Sequence, residues 1–302
     1  MQSGNWPERL FQGPGFRHPL AEGRILGKGA LVQYKKLADT NFRVPEIGLG
    51  TWEYRGGVEP IQKGLSLGAC LIDTAEIYGT EEIVGRAIED RRHEVFLATK
   101  VAPQHFDYQG VLTAADNSLK RLGTDYIDLY QLHWPSEDIP IEETIAAMDK
   151  LVSAGKVRFI GVSNFSLAQF KKAQSVTENK IVSNQVRYNL VDRRIERELM
   201  PYCHKNNVTI IAYSPLAHGM SNLRTKLGSR VLEEVARDAG KTEAQVALNW
   251  CTARDNVIAI PKSNSVRRTI ENCQASGWRL TPYQMELLEE STRRAALAGL
   301  AR

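Results

Sequence analysis

The sequence predicts an α/β fold of the (β/α)8 TIM-barrel class. From about Tyr34 onward, short apolar runs alternate with amphipathic stretches of helical period. Eight such runs fit into about 250 residues, the size of a barrel of eight strand–helix units. The runs are continuously apolar rather than alternating, as in parallel strands buried on both faces. An open, doubly wound sheet is the runner-up, disfavoured because no G-x-G-x-x-G follows the first strand.

The elements follow in order. Met1 to about Ala30 is rich in Gly, Pro and Arg and has no apolar period. We expect residues 1–33 to form an extension outside the core and residues 34–302 to form the barrel. The first four strand candidates are Glu46–Gly50, Leu71–Thr74, Val95–Val101 and Tyr126–Trp134. The last four are Phe159–Asn164, Ile181–Val186, Val208–Pro215 and Val257–Lys262. Between them, Glu81–Asp90 places Ile83, Ala87 and Ile88 on one helical face, and Ile141–Ala154 does the same with Ile145, Met148, Leu151 and Val152. Gly155 is placed to end the latter helix, and Ser166 to cap the next. Two helical segments, Ser229–Gly240 and Thr242–Arg254, separate the seventh and eighth strands.

Composition narrows the function classes. The net charge of +4 comes from bases scattered among acids, with no cationic run to serve nucleic acid. No apolar stretch approaches the roughly 20 residues of a membrane helix, and the N-terminus lacks a signal-peptide core. Cys70, Cys203, Cys251 and Cys273 lack C-x-x-C or zinc-finger spacing. They read as reduced thiols, mostly buried, of a cytoplasmic protein.

In a barrel the active site lies at the C-terminal strand ends. Those ends carry Thr51-Trp52, Asp73-Thr74 with Tyr78 just beyond, Lys100, and His133-Trp134. The later ends carry Ser163-Asn164, Asn184-Gln185, Tyr213-Ser214 and Lys262-Ser263-Asn264. Burying so many polar groups is costly unless they pair with one another or with a ligand. Each alone also fits a bland role: Asp73 as a helix cap, Tyr78 as a turn aromatic, Lys100 as a solvated strand end, His133 as a core histidine. Their convergence on one rim favours a site.

Five segments carry a resemblance: IDTAEIYG (Ile72–Gly79), ATK (Ala98–Lys100), LHW (Leu132–Trp134), GVSNF (Gly161–Phe165) and IPKSNSVRRTIEN (Ile260–Asn272). In this order and spacing the chain, from about Tyr34 to Leu288, resembles the aldo-keto reductase family. The resemblance implies a catalytic tetrad of Asp73, Tyr78, Lys100 and His133. Tyr78 would supply the proton, its pKa lowered by Lys100. Asp73 would hold Lys100, and His133 would donate to the carbonyl oxygen.

The resemblance also implies cofactor contacts. Ser163, Asn164 and Gln185 would bind the nicotinamide carboxamide, and Tyr213 would stack on its ring. Ser214 and Leu216 would touch the pyrophosphate, with Thr51 also on the cofactor side. Lys262, Ser263, Asn264 and Arg268 would hold the adenosine phosphate, with Glu271 and Asn272 at the adenine. Two cations favour NADP(H), with NAD(H) as the alternative. No metal is implied, because the nicotinamide carries the hydride. Trp52 and Trp134 would wall a pocket for small aldehydes or ketones. The tail after Leu288 lacks the long aromatic loop of steroid-active members, so steroids are disfavoured. The expected protein is a monomeric carbonyl reductase. The alternatives are a nicotinamide-binding sensor or channel-associated subunit, with the N-terminal extension as its partner feature, and a barrel using Lys100 as a Schiff-base lysine.

Overall fold

The computed structural model describes residues 31–227, 230–297 and 299. A short antiparallel hairpin comes first, β1 (Tyr34–Lys36) against β2 (Arg43–Pro45). Eight parallel strands follow. They are β3 (Leu49–Gly50), β4 (Leu71–Asp73), β5 (Phe96–Val101), β6 (Ile127–Leu132), β7 (Val157–Ser163), β8 (Ile181–Arg187), β9 (Thr209–Tyr213) and β10 (Val257–Ala259). Each pairs with its sequence neighbour, and parallel bridges Ile47↔Ala259 and Gly50↔Lys262 join the last to the first. The expected (β/α)8 barrel is the observed fold. The first and last strands are shorter than expected: Pro261 has no N–H, so the closing seam is carried by isolated bridges rather than a continuous ladder.

The helices are α1 (Glu59–Ser66), α2 (Glu81–Ile88), α3 (Tyr108–Leu122), α4 (Ile141–Ser153), α5 (Leu167–Ser175) and α6 (Leu199–Lys205). They continue with α7 (Met220–Leu227), α8 (Val231–Asp238), α9 (Glu243–Thr252), α10 (Val266–Cys273) and α11 (Pro282–Leu297). Local chemistry sets several boundaries. Ser166 and Gln169 form a capping box on α5, and Thr242 and Gln245 form one on α9. Gly155 follows α4 with φ of +72°, the left-handed turn that glycine reaches without strain. Gly85 on α2 lets the backbone of α3 come close, since a Cβ there would lie 2.6 Å from the Leu122 carbonyl.

One buried charge registers the sheet against this helical layer. Glu81, in the first turn of α2, accepts from Thr99 Oγ1 at 2.6 Å and from Arg121 of α3 at 2.7 Å. Because strand side chains alternate, fixing Thr99 outward aims its neighbour Lys100 into the barrel.

The hairpin caps the opposite, N-terminal end. Ala38 N donates to Thr209 Oγ1, at the start of β9, and Lys35 Nζ reaches the carbonyls of Thr252, Arg254 and Val257. Leu31–Gln33, assigned to the extension from sequence, join the barrel. Val32 is buried, Leu31 N bonds the Leu67 carbonyl and Gln33 N bonds Ser276 Oγ. Residues 1–30, the rest of the expected extension, lie outside the described residues.

All four cysteines are free and buried, and burial pushes each thiol up to about 12. In the unfolded chain they titrate near their ordinary value of roughly 8.5. The folded state therefore keeps protons that the unfolded state has released, and the stability this provides is present below pH 8.5 and lost as pH rises toward 12. Lys35 acts oppositely, since burial lowers it to about 8, but it is one group against four. The thermal midpoint under reducing conditions is expected to fall steadily above about pH 9. A midpoint flat or rising from pH 8 to 11 would contradict this.

Candidate active site

Three successive barrel strands deliver one linked cluster to the C-terminal rim. Asp73 ends β4, and Tyr78 sits one short 3-10 turn beyond it, before the left-handed Gly79. Lys100 is on β5, and His133 directly follows β6. Lys100 Nζ donates to Asp73 Oδ1 at 2.6 Å, to the Thr74 carbonyl at 2.8 Å and to Tyr78 Oη at 3.4 Å. Tyr78 Oη lies 3.2 Å from His133 Nε2. The second Asp73 oxygen accepts from Gln185 Nε2 at 2.7 Å and Gln131 Nε2 at 3.3 Å. Lys100 is 0% and Asp73 3% exposed at the side chain, so this ion pair is fully desolvated.

Burial governs the protonation states. It acts most strongly on Lys100, disfavouring the ammonium, but Asp73 and then Tyr78 outweigh it and hold the amine above its ordinary value. Burial likewise raises the Tyr78 phenol, and Lys100 pulls it back only in part. The expectation from sequence was a phenol lowered by Lys100; the net shift is upward because desolvation is the larger effect. His133 is pushed down to about 3 by burial and then by Lys100, so its ring is neutral. Its Nδ1 is buried without a partner among the described residues. The tautomer that avoids burying an unpaired N–H keeps the proton on Nε2. Lys100 and His133 then both donate to Tyr78 Oη, which leaves the phenol's own proton free to be given away.

The next strand ends form a second group. Asn164, at φ +65°, donates through Nδ2 to Ser163 Oγ and the His133 carbonyl, and its Oδ1 accepts from Tyr213 Oη at 2.9 Å. Ser163 Oγ donates to the Gln185 carbonyl. Beyond Tyr213 the backbone turns sharply: Ser214, Ala217 and His218 all have positive φ. Buried Asn189 supports this turn by donating to the Ser214 carbonyl. Leu216 is half-buried in the same loop.

The residues expected at the adenosine end gather where β10 leads into α10. Lys262 and Arg268 are exposed, with no carboxylate partner among the described residues. Ser263 is buried, its hydroxyl donating to the Ser265 carbonyl, and Asn264 Oδ1 accepts from Arg55 N. Ser265 caps α10 by accepting from Arg268 N. On that helix Glu271 is half-buried and Asn272 buried.

Thr51, expected on the cofactor side, directly follows β3 at the rim. It is buried, its hydroxyl donating to the Asp73 carbonyl and sharing a 3.0 Å bond with Thr80. Trp52 and Trp134 are 47% and 49% exposed beside the rim, which is unusual for rings of this size. Trp52 meets His218 edge to face at 5.7 Å. Sequence reasoning missed Gln131 and Arg187. The available signal was period-2 spacing, since each lies two residues from a named site residue on the same strand face.

Residues 46–293 match the Aldo/keto reductase family, a span that contains every residue just described at the rim. The chain is 37% identical over 259 residues to the methylglyoxal reductase of Escherichia coli strain K12, covering 82% of this chain and 91% of that protein. It is 35% identical over 252 residues to the glyoxal reductase of Bacillus subtilis strain 168, covering 82% and 88%. A solved aldo/keto reductase from Klebsiella pneumoniae, in complex with NADP and acetate, shares 37% identity at a TM-score of 0.80, covering 86% of this chain and 95% of that one. The chain belongs to the aldo/keto reductase family.

Proposed function

We propose that this rim reduces aldehydes and ketones to alcohols with NADPH, and runs the reverse oxidation, with Tyr78 as the proton donor. The observation that carries the reading is the Lys100 ammonium held between Asp73 and Tyr78 in a dry site. Bound there, a reduced nicotinamide supplies the hydride equivalent to the carbonyl carbon. Negative charge then develops on the carbonyl oxygen. Tyr78 gives that oxygen its proton, Lys100 stabilises the resulting phenolate, and neutral His133 donates from Nε2 to fix the oxygen's position. Asp73 keeps Lys100 charged and aimed.

The chain's own groups suit such a cofactor. Gln185 Nε2 is engaged by Asp73, which leaves Oε1 to accept from a carboxamide N–H, while Ser163 and Asn164 complete the amide site. Tyr213 offers a ring face. Ser214 and Leu216 line the turn proposed for the pyrophosphate. Lys262 and Arg268, with Ser263 and Asn264 at the start of α10, suit a 2′-phosphate, and Glu271 and Asn272 lie where the adenine is proposed.

Lys262→Ala combined with Arg268→Ala is expected to weaken NADPH binding by about tenfold to a hundredfold, while NADH binding changes little. Fluorescence titration with both nucleotides checks this, alongside NADPH oxidation with 4-nitrobenzaldehyde by the parent. Equal losses for NADPH and NADH would remove the phosphate assignment. Absence of turnover would remove the reductase reading.

Trp52 and Trp134 are proposed as the substrate walls, and small reactive aldehydes as substrates, in line with the named activities of the methylglyoxal and glyoxal reductases. The reading also takes the protein as monomeric, and as cytoplasmic on the support of its four buried free thiols. No helix among the described residues is long and apolar enough to cross a membrane. The sensor alternative rests on residues 1–30, which lie outside the described residues.

A further inference from the structure

Arg187 is the last residue of β8, in register with Tyr213 at the end of β9. It lies two residues after Gln185, so both side chains leave the same face of the strand. Its guanidinium carbon is 5.8 Å from the centroid of the Tyr213 ring, whose hydroxyl donates to Asn164. Its field also reaches across the mouth: burial first, then the Arg187 cation, holds His218 below its ordinary value, and His218 packs on Trp52. Lys226 acts on His218 in the same sense, and Glu53 is the acid that opposes them.

Arg187 differs from other arginines of this part of the chain. Arg193, Arg194 and Arg254 each pair with a carboxylate within hydrogen-bonding distance. Arg187 is exposed, and among the described residues no carboxylate forms an ion pair with it. A guanidinium presents a planar fork that matches a carboxylate in a bidentate way and holds its charge at any working pH. Set beside the ring proposed to carry the nicotinamide, at the rim where the substrate is proposed to enter, it leaves a positive potential that a neutral aldehyde does not answer.

We infer that Arg187 is a specificity-determining residue that binds an anionic group on the substrate, so that this site prefers aldehydes bearing a carboxylate. The inference rests on the carbonyl-reductase reading of the same site.

The test compares 4-carboxybenzaldehyde with its neutral methyl ester, methyl 4-formylbenzoate, using NADPH and the full chain. The parent is expected to prefer the acid, and the preference to shrink with added salt. Arg187→Met lowers kcat/KM for the acid by about tenfold or more, mainly through KM. It leaves the ester within about twofold. Arg187→Lys keeps the charge without the fork and falls between. Turnover of the ester without preference for the acid overturns this inference alone. So does an equal loss on both substrates with weaker NADPH binding, which would assign Arg187 to the cofactor's phosphates. Absence of turnover of the ester by the parent overturns the reductase reading itself, and this inference with it.

Discussion

Lys100→Met is expected both to abolish turnover and to destabilise the fold, and the two effects have separate causes. The Lys100–Asp73 pair is dry: the ammonium is fully buried and bonded to Asp73 Oδ1 at 2.6 Å. Removing one partner strands the other as an uncompensated charge, a loss of about 3–5 kcal/mol when a buried pair is broken. Methionine fills most of the lysine's volume, so little of this comes from a cavity. Adding Asp73→Asn removes the stranded charge while keeping an oxygen to accept from Gln131 and Gln185, and recovers part of the stability. Activity does not return, because the ammonium that stabilises the Tyr78 phenolate is gone. Urea unfolding of the parent, single and double variants, with NADPH turnover of each, checks the pair. Recovery of activity in the double variant would show that Lys100 serves the fold alone.

Tyr78→Phe is expected to lower kcat for carbonyl reduction by about a hundredfold to ten-thousandfold, the range for loss of a general acid. The substitution is mild in every other respect. The ring packs edge to face on His133 at 5.3 Å, a contact phenylalanine keeps. Folding and NADPH affinity are therefore expected to stay near those of the parent. The pH dependence follows from the sign of the shifts. Burial raises the Tyr78 phenol above its ordinary value despite Lys100, so the proton needed for reduction is present from neutral pH to beyond 10. His133, lowered to about 3, stays neutral over the same span. Initial-rate kcat/KM for reduction is thus expected to be level from about pH 5 to 9 and to fall only on the alkaline side. A fall centred near pH 7 would assign the proton to another group.

Much of this was legible in the sequence. Strands such as Phe96–Val101 and Ile127–Leu132 are buried at every position, and burial on both faces leaves a short, mainly apolar run that needs no periodicity to be read. The tetrad was legible because its members occur where those runs stop. The hairpin β1–β2 was not, because three-residue strands carry no period and their role is to cap the barrel through Lys35. The hydrogen bonding of Thr51 was hidden for a different reason. A hydroxyl at a strand end looks the same in sequence whatever it bonds, and the Asp73 and Thr80 contacts appear only in the fold. The direction of the Tyr78 shift was hidden too: the sequence names the cation beside the phenol but not how dry the phenol is. Gln131 and Arg187 belong to no recognised segment, and it is the geometry that brings them to Asp73 and Tyr213.

The most direct test of Tyr78 as proton donor is a single-turnover measurement of NADPH oxidation with excess 4-nitrobenzaldehyde, parent against Tyr78→Phe, each first shown to bind NADPH by fluorescence. The parent is expected to oxidise its bound NADPH in one fast phase. The variant, holding the cofactor equally well, is expected to oxidise it at least about a hundredfold more slowly. Equal rates in the two, with cofactor bound in both, would contradict the assignment.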